Sequence, residues 1–424
     1  MPFGELAKII YFCNNMKTLY NIAMGCYRLG IGAVAPWHKK AKLWRDGRKN
    51  LFARMRESID HSAPIIWVHV ASLGEFEQGR PIIEKIKADR PEYKILLTFF
   101  SPSGYEIRKN YQGADYIFYL PLDTKANARQ FLDIVKPQMA IFVKYEYWIN
   151  LLSELKKREI RTYIVSAIFR RDSIFFRPFG KMWREALKTF DTLFVQDDKS
   201  KQLLAELGHN NVVVAGDTRF DRVAQIAAAA KKIEIIEQFK GDSRLFVAGS
   251  TWGPDEELIV RLANENPTIK FIIAPHEMEQ ARMSKIEAEA VGGAVRYTEI
   301  DGNLEGKQIL ILNTMGMLSS IYGYADFSYI GGGFGMGIHN TLEAATFGLP
   351  IAFGPNYHKF KEARDMIALG AATSVTTYEE LERWFTPLQS SEEHLAAVSR
   401  LSKEYTAQNQ GATELFFKKA FDRA

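Results

Sequence analysis

The sequence alternates short apolar runs with helix-length segments of mixed polarity, and it does so in two successive series. In the first series the apolar runs lie at residues 65–70, 93–100, 116–119, 139–143, 162–165 and 192–195. In the second series they lie at residues 245–248, 270–273, 309–312 and 327–330. Such alternation is typical of parallel strands joined by helices. It therefore predicts two α/β domains, each a doubly wound parallel sheet with helices on both faces.

The length of 424 residues is sufficient for two domains with separate cores. An alanine-rich, charged segment at 223–239 separates the two series and is predicted to bridge them. We therefore expect an N-terminal segment at 1–56, a first domain at 57–230 and a second domain at 231–424. Helices are predicted at 378–384 and 392–417, and the last helix is available to pack back on the first domain.

The composition excludes several classes of protein. An apolar fraction of 47% and a charged fraction of 25% are those of a globular chain. Cysteine occurs only at Cys13 and Cys26, which argues against a disulfide framework or a thiolate zinc site and fits a reducing compartment. The eight histidines form no HExxH or comparable spacing, so no metal site is predicted.

The excess of positive charge is concentrated near the N-terminus. Residues 6–37 are mostly apolar, but lysine and asparagine interrupt them too often for a membrane-spanning helix. Basic side chains follow, with Trp37 and Trp44 among them: His38, Lys39, Lys40, Lys42, Arg45, Arg48, Lys49, Arg54 and Arg56. This combination favours a segment that lies on an anionic membrane face. The alternatives are an amphipathic helix packed on its own domain, and a nucleic-acid-binding arm, for which no binding fold is recognised.

A glycine-rich loop, GGGFGMG at 331–337, follows one apolar run and precedes a helical pattern that starts at Asn340. Asn340 and Glu343 have the spacing of a capping box, in which both side chains bind helix amides. The other interpretation is that the loop amides and the helix N-terminus bind an anion, as in nucleotide sites. GxGxxG directly before a helix and GxxxxGK[ST] are both absent, which weakens a dinucleotide or triphosphate site.

The first domain opens with the segment HVASLGE at 69–75, where a strand gives way to a small-residue turn and then to a helical pattern at 81–87. A carboxylate at a helix start stays ionised in the field of the helix dipole and is able to accept a proton. Glu75 is therefore a candidate general base, and the alternative is that it only caps the helix together with Ser72. Ser101 or Ser103 is expected to cap a helix that runs through Arg108.

These motifs resemble those of the 3-deoxy-D-manno-octulosonate (Kdo) transferases, which are membrane-associated glycosyltransferases of the GT-B type. The resemblance extends from the apolar-basic N-terminal segment to the glycine loop and the following GPN at 354–356. It implies two Rossmann-like domains that face a central cleft. Within the family pattern H-x-x-S-x-G-E, it also implies that Glu75 is the general base.

Two further segments of the first domain carry the resemblance. YEYWIN at 145–150 is similar to T-E-L-W-P-N, and GDTRFD at 216–221 is similar to G-N-L-K-F-D. The implied role of Glu146 and Arg219 is to stabilise the transition state. Arginine replaces the usual lysine, so a planar fork replaces a compact charge. From the residues alone, Glu146 as a surface helix acid and Arg219 as a salt-bridge partner remain open.

Three segments of the second domain are implied to hold the cytidine monophosphate (CMP) part of a sugar donor. PHE at 275–277 stands where the family has P-R-H, so the arginine is missing and His276 takes its place. MGM at 315–317 matches M-G-E in its first two residues, and NTLE at 340–343 matches N-P-L-E. A buried apolar turn remains the alternative for 315–317. The implied binding residues are Pro275, His276, Met315, Gly316, Met317, Asn340, Thr341, Leu342 and Glu343.

The resemblance implies an inverting glycosyltransferase that moves Kdo from CMP-Kdo to the lipid A precursor lipid IVA in lipopolysaccharide core biosynthesis. The implied location is the cytoplasmic side of the inner membrane of a Gram-negative bacterium, as a peripheral protein. We expect no metal, no other cofactor and no nucleic-acid partner, since helix N-termini and a cation suffice for a monophosphate leaving group. The alternatives are a GT-B transferase or epimerase that uses a UDP-sugar, and a non-catalytic peripheral lipid-binding protein.

Overall fold

The chain forms two compact units, each built around a parallel sheet. The computed structural model describes residues 3–230, 232–302 and 304–422, with side chains from residue 16 onward. Unit 1 is Met1–Arg222 together with Gly411–Ala424, and unit 2 is Val223–Gln410. Within the described residues each unit contains one sheet of seven strands, and every paired strand is parallel. The predicted pair of doubly wound α/β domains is therefore confirmed.

The strand order places a reversal point in each sheet. Unit 1 has the order β3-β2-β1-β4-β5-β6-β7, and unit 2 has the order β10-β11-β9-β8-β12-β13-β14. The order reverses between β1 and β4 in unit 1 and between β8 and β12 in unit 2, and ligands of doubly wound proteins bind at such points. In chain order the strands are β1 (Ile65–Val70), β2 (Lys94–Phe99), β3 (Tyr116–Tyr119), β4 (Met139–Val143), β5 (Arg161–Ala167), β6 (Thr192–Val195), β7 (Val212–Val214), β8 (Leu245–Thr251), β9 (Lys270–Pro275), β10 (Ala294–Arg296), β11 (Ile309–Ile311), β12 (Phe327–Ile330), β13 (Ile351–Phe353) and β14 (Ala372–Ser374).

The α-helices occupy the segments between the strands, with further helices at both ends of the chain. They are α1 (Phe3–Val34), α2 (Lys39–Asp46), α3 (Leu51–Ser58), α4 (Leu73–Asp89), α5 (Pro102–Arg108), α6 (Lys125–Val135), α7 (Ile149–Lys157), α8 (Lys181–Leu187), α9 (Asp198–Glu206), α10 (Arg219–Ala228), α11 (Glu234–Lys240), α12 (Gly253–Glu265), α13 (Gln280–Glu289), α14 (Leu318–Ile321), α15 (Leu342–Ala345), α16 (Lys361–Leu369), α17 (Tyr378–Ser390), α18 (Glu392–Gln408) and α19 (Ala412–Phe421).

The sheet of unit 1 is buried on both faces, which explains its continuous apolar strands. Along β1, Ile65 and Trp67 belong to one apolar cluster, and Ile66, Val68 and Val70 belong to the cluster on the opposite face. The second cluster also contains Phe416 and Phe417 of α19. The last helix therefore belongs to the core of unit 1.

Several element boundaries differ from the sequence predictions. The strands β7, β10, β13 and β14 were not predicted, because each has only three residues and shows no periodicity. The predicted helix at 392–417 is two helices, since the first ends at Gln408 and Gly411, with a φ of 104°, directly precedes the second. The bridging segment 223–239 contains the end of α10 and most of α11. Ser101 caps α5 as expected, its hydroxyl accepting from the amide of Ser103.

The helix after β1 starts much earlier than the predicted 81–87. It begins at Leu73, and Pro81 lies inside it. Proline removes one helix hydrogen bond, but Phe76, Ile82, Ile83 and Ile86 are buried against the sheet and favour the longer helix. Gly79 allows this close packing, because a β-carbon there would lie 3.2 Å from Val143 Cγ2 and 3.3 Å from Val70 Cγ1.

The N-terminal helices are attached to unit 1 through polar and aromatic contacts. The hydroxyl of Tyr20 in α1 donates to Asp123 Oδ2 at 2.7 Å, and Asn150 Nδ2 donates to Asn21 Oδ1 at 3.0 Å. Arg48 donates to the carbonyls of Leu120 and Phe100, each at 2.9 Å. Arg48 of the basic segment therefore holds the fold together instead of facing a membrane, whereas Lys39, Lys40, Lys42, Lys49 and Arg56 are exposed.

The tight contact at Gly79 gives a test of this packing. We expect Gly79→Leu to lower the free energy of unfolding by about 1–3 kcal/mol, because a side chain would be forced between α4 and the sheet. Urea denaturation followed by circular dichroism measures this difference. Gly74→Ala is the matched control on the same helix, since its β-carbon would meet nothing closer than Ser72 Oγ at 3.8 Å. Equal stability of the two variants would contradict the packing described.

Candidate active site

In unit 1, the two loops at the reversal point carry two of the predicted motifs. β1 and β4 pair directly, from Ile66 with Met139 to His69 with Phe142. The loop after β1 leads into α4, which has Glu75 in its first turn, and the loop after β4 carries Glu146. Because neighbouring parallel strands end at the same edge of a sheet, the fold places these two loops side by side.

Glu146 is a buried loop residue and not the surface helix acid left open above. Only 8% of it is exposed. Its Oε2 atom lies 2.9 Å from His69 Nε2 and accepts from the indole Nε1 of Trp148 at 2.7 Å. The opposite nitrogen of His69, Nδ1, lies 2.9 Å from the hydroxyl of Thr98. Residues of three different segments therefore fix the position of this carboxylate.

The hydrogen-bond partners of His69 indicate where its proton lies. A carboxylate accepts hydrogen bonds but does not donate them, so Nε2 carries the proton in the contact with Glu146. On the other side of the ring, Nδ1 lies 2.9 Å from the hydroxyl oxygen and 3.1 Å from the carbonyl oxygen of Thr98. The Thr98 hydroxyl accepts from Trp67 Nε1 at 2.8 Å.

Arg219 forms a salt bridge with Asp217, which was the simpler of the two interpretations. Its Nε and Nη2 atoms lie 3.0 and 2.9 Å from Asp217 Oδ2. The amide nitrogens of Gln78 and Gln196 also donate to Asp217, at 3.0 and 3.1 Å. Asp217 stands where the resembled motif has asparagine, and Arg219 where it has lysine. The two replacements therefore occur together as an ion pair, which the sequence reasoning did not notice.

Glu75 lies at the N-terminus of α4 and is half-buried. The hydroxyl of Ser72 donates to its carboxylate instead of capping a helix amide, so the capping box that was the alternative for Glu75 does not form. Burial raises the pKa of Tyr145, Arg170 and Arg219 lower it, and Glu75 and Asp217 raise it further. Gln78, three residues after Glu75 in α4, donates to Asp217, the partner of Arg219. This contact connects the segment of Arg219 to the helix of Glu75, and Glu75 and Glu146 lie on the neighbouring loops after β1 and β4.

In unit 2, the glycine loop leaves β12 at the reversal point, next to the loop after β8. Only glycine fits at positions 331 and 333. A β-carbon on Gly331 would lie 2.3 Å from the carbonyl oxygen of Ser250, and one on Gly333 would lie 2.5 Å from the Cα of Gly354. The buried carboxylate of Asp255 accepts from the amides of Gly332 and Trp252 at 3.0 and 2.8 Å. Asp255 therefore links the two loops.

The anion-binding interpretation of the glycine loop receives little support from its backbone. Four of its amides donate within unit 2, those of Gly331, Gly332, Gly335 and Gly337, and so does the amide of His339 just after the loop. The helix that follows, α15, has only four residues and begins at Leu342 instead of Asn340. Its first amide donates to Asn340 Oδ1 at 3.2 Å. Anion binding at this edge would therefore depend on side chains.

Three aromatic side chains stack at this edge. The ring of the exposed His276 lies 4.3 Å from that of His339 and 5.0 Å from that of Trp252, measured between centroids. Trp252 Nε1 donates to His339 Nε2 at 3.3 Å. Burial and the neighbouring His276 lower the pKa of His339 to about 4. His339 is therefore neutral near pH 7, whereas His276 is the exposed histidine of the stack.

The side chain of Glu343 links its own segment, 340–343, to a residue close to the segment 315–317. Its Oε2 accepts from the Ser319 hydroxyl at 2.6 Å, and its Oε1 accepts from Asn340 Nδ2 at 2.9 Å. Ser319 lies two residues after the segment 315–317, in which Gly316 has a φ of 88° and Met315 is 82% exposed. The alternative of a buried apolar turn is thus wrong for Met315. Pro275, Thr341 and Leu342 are buried and hold the loops in place.

The described residues contain neither a cluster of metal ligands nor a membrane-spanning helix. No group of three or more His, Cys, Asp or Glu side chains in this part of the chain is arranged to hold a metal ion. Among the same residues, no helix is both long and apolar enough to span a bilayer.

Comparisons of sequence confirm the resemblance to the Kdo transferases. Residues 46–222 match the model of the family described as 3-deoxy-D-manno-octulosonic-acid transferase (kdotransferase). A 3-deoxy-D-manno-octulosonic acid transferase from Aquifex aeolicus is 29% identical over 357 residues, covering 82% of this chain and 92% of that protein. The corresponding protein from Bordetella pertussis is 27% identical over 421 residues, covering 92% of this chain and 96% of its own.

Comparisons of structure bear on the fold alone. A UDP-GlcNAc 2-epimerase from Neisseria meningitidis superposes with a TM-score of 0.62 at 16% identity, covering 85% of this chain and all of that one. A co-structure titled S. aureus MnaA-UDP has a TM-score of 0.58 at 14% identity, covering 85% and 98%. Both likenesses agree with the two-domain α/β architecture.

The ion pair of Asp217 and Arg219 predicts a specific pH dependence of stability. Burial alone would raise the pKa of Asp217, but Arg219 and the hydrogen bonds hold it below its ordinary value. A lowered carboxyl pKa stabilises the fold above the unfolded-state pKa and ceases to do so as the pH falls through the folded-state value. We expect Asp217→Asn to cost about 1–3 kcal/mol at neutral pH. The cost should shrink below about pH 4.

Urea denaturation of both proteins between about pH 7 and about pH 3 measures this dependence. The exposed Asp198 gives the control variant Asp198→Asn, for which we expect no pH-dependent difference. A cost for Asp217→Asn that stayed constant down to the lowest pH would exclude the ion pair as its cause.

Proposed function

We propose that this chain, a relative of the Kdo transferases, is a glycosyltransferase that moves Kdo from CMP-Kdo to the lipid A precursor lipid IVA. The observation that carries the proposal is that Glu75 and Glu146 lie on neighbouring loops at the reversal point of the unit 1 sheet, while Arg219 pairs with Asp217, which Gln78 of the Glu75 helix also binds. The three residues come from different segments that are similar to family motifs, with arginine at 219 in place of the motif's lysine. Unit 2 is the proposed holder of the donor nucleotide.

In the proposed reaction Glu75 acts as the general base. Its carboxylate removes the proton from a primary hydroxyl of the acceptor's glucosamine disaccharide as that oxygen attacks the anomeric carbon of Kdo. The bond from the anomeric carbon to the phosphate oxygen breaks, CMP departs with both electrons of that bond, and the configuration inverts.

The roles proposed for Glu146 and Arg219 follow from their surroundings. Glu146 is held rigidly by His69 and Trp148, so its negative charge has a fixed position toward a developing positive charge on the sugar. Arg219 is one-quarter exposed, and its pairing with Asp217 reduces the charge available to an anion. Arg170, whose charge lowers the pKa of Tyr145, is a second cation that could bind an anion here.

The N-terminal helices support a peripheral location at the cytoplasmic face of the inner membrane. α1 and the turn after it expose large apolar side chains, among them Leu19, Ile22, Leu29 and Trp37. Exposed lysines follow directly in α2. An apolar surface flanked by positive charge is typical of helices that lie on anionic membranes. Such a surface would bring the protein to the membrane in which a lipid acceptor lies.

The proposal is tested by incubating the purified protein with enzymatically generated CMP-Kdo and a tetraacylated lipid A precursor, followed by mass spectrometry of the lipid. We expect the mass of one or more Kdo residues to be added. Glu75→Gln should reduce kcat by about 10²–10⁴-fold, because the amide cannot accept the proton. The melting temperature should still rise with CMP.

Glu77→Gln is the matched control, two residues along the same helix, where the carboxylate pairs with Arg108. We expect this control to retain activity. A melting temperature raised by UDP and not by CMP would favour the UDP-sugar alternative. Unchanged biological function of the Glu75→Gln variant would favour the non-catalytic lipid-binding protein.

His276 gives a second test, because it stands where the family has arginine. We propose that the exposed ring of His276 contacts the donor phosphate. His276→Arg should lower the KM for CMP-Kdo several-fold, since arginine stays charged and binds phosphate through two parallel N–H groups. His276→Ala should raise that KM several-fold with little change in kcat. Steady-state kinetics measure both variants, and a KM equal to that of the wild type in both would remove His276 from the phosphate site.

A further inference from the structure

A groove in unit 1 lies outside the residues assigned to catalysis. It has a volume of about 580 Å³ and lies between α1, α2 and the start of α5. This volume falls within the range of pockets that bind small molecules, about 300–1,000 Å³. Its walls are mainly apolar, with contributions from Tyr27, Ile31, Val34, Trp44, Phe100 and Pro102.

Aromatic rings form one side of the groove. The ring of Trp44 lies 5.5 Å from that of Tyr27 and 5.9 Å from that of Phe100, measured between centroids. Trp44 is 6% exposed, so the packing beneath the groove fixes its position. Such a surface offers dispersion contacts to a hydrocarbon chain.

The groove adjoins the candidate active site through two contacts. The ring of Phe100 packs at 4.6 Å against Trp148, whose indole donates to Glu146. The amide of Ser101 donates to the carbonyl of Ala71 at 2.7 Å, directly before the segment that carries Ser72 and Glu75. Phe100 and Ser101, which line the groove, are therefore in contact with the two segments that carry Glu146 and Glu75.

The charge around the groove is positive. His38 and Lys40 line it and are exposed, and the exposed Lys39 and Lys42 lie beside them in the chain. A ligand that combines an apolar chain with nearby anionic groups is complementary to this arrangement. The acceptor lipid has this chemistry, with acyl chains and phosphates on one disaccharide.

We infer that the groove holds one acyl chain of the lipid acceptor while the acceptor's sugar lies at Glu75. The inference rests on the proposed function and adds a binding site for the lipid portion of the substrate. The occupant is the acceptor and not a bilayer phospholipid, because the groove begins one aromatic side chain away from Glu146. The acyl chain would thereby help to position the hydroxyl for attack.

Gly30 provides a clean way to fill the groove. It lines the groove, and a β-carbon placed on it would meet nothing within 4 Å. Leucine at this position of α1 raises helix propensity, so the substitution should not unfold the helix. Gly32→Leu is the matched control, since Gly32 also has open space around it but lies on the opposite side of the helix and does not line the groove.

The test compares KM values for the tetraacylated acceptor and for the same disaccharide bisphosphate after removal of all acyl chains. We expect Gly30→Leu to raise the ratio of the first KM to the second at least tenfold, and Gly32→Leu to leave this ratio as in the wild type. Equal ratios in all three proteins would overturn the inference while leaving the transferase function intact.

A second measurement does not depend on turnover. A fluorescent fourteen-carbon fatty acid should bind the wild type and Gly32→Leu, and its affinity for Gly30→Leu should be at least tenfold lower. Binding to anionic phospholipid vesicles should be equal in the three proteins. A loss of vesicle binding by Gly30→Leu that matches its loss of acceptor affinity would assign the groove to bilayer lipid and overturn the inference. Fatty-acid binding without Kdo transfer would reject the proposed function alone.

Discussion

The buried carboxylate of Glu146 is the group around which unit 1 is organised. A charge removed from water is costly unless it is paired or hydrogen-bonded, and removing a partner typically costs about 3–5 kcal/mol. Glu146 obtains its partners from His69 on β1 and from Trp148 just before α7. Those contacts form only when β1 and β4 are neighbours. The strand order therefore makes burial of the Glu146 carboxylate possible, and the contacts of that carboxylate stabilise the pairing of the two strands.

The partners of Glu146 are in turn held by contacts with other residues. Thr98 on β2 orients His69, and Trp67 binds the hydroxyl of Thr98. Trp148 packs against Phe100, which in turn packs against Trp44 of the N-terminal helices. A continuous set of contacts therefore runs from the candidate catalytic loop to the surface that we assign to lipid. This continuity explains how a segment attached at the N-terminus contributes to an active site far along the chain.

In unit 2 the main constraint is the close approach of backbone segments. Its glycine loop touches the loop after β8 and the segment at Gly354 so closely that a β-carbon would collide with either one. The glycines were predicted to leave amides open to an anion, yet most of the amides donate within the unit. In this conformation the glycines serve packing, and the exposed chemistry of the edge belongs to His276 and its aromatic neighbours.

Much of the fold was predictable because buried parallel strands produce long apolar runs. The strands that escaped prediction are three residues long, and the start of α4 escaped because Pro81 suggested a boundary that tertiary packing overrides. The motif residues were also found in advance, although their roles as base, transition-state partners and nucleotide ligands stay predictions. Asp217, Gln78 and Tyr145 were missed. Gln78 contacts Asp217 from a distant part of the sequence, so this contact could not be predicted from a local pattern. The one available signal was that Asp217 and Arg219 together replace the asparagine and lysine of one motif.

The sequence by itself determined the fold class, the division into two series of strands and the family resemblance, because apolar periodicity and short motifs are local properties. The tertiary structure decided which polar groups meet across the chain, since Gln78 reaches Asp217 and Arg48 reaches the carbonyls of Phe100 and Leu120 only after distant segments pack together. It also decided that an open groove lies beside the candidate catalytic loop. Cavities and long-range hydrogen bonds depend on distances between segments, and those distances are set by packing.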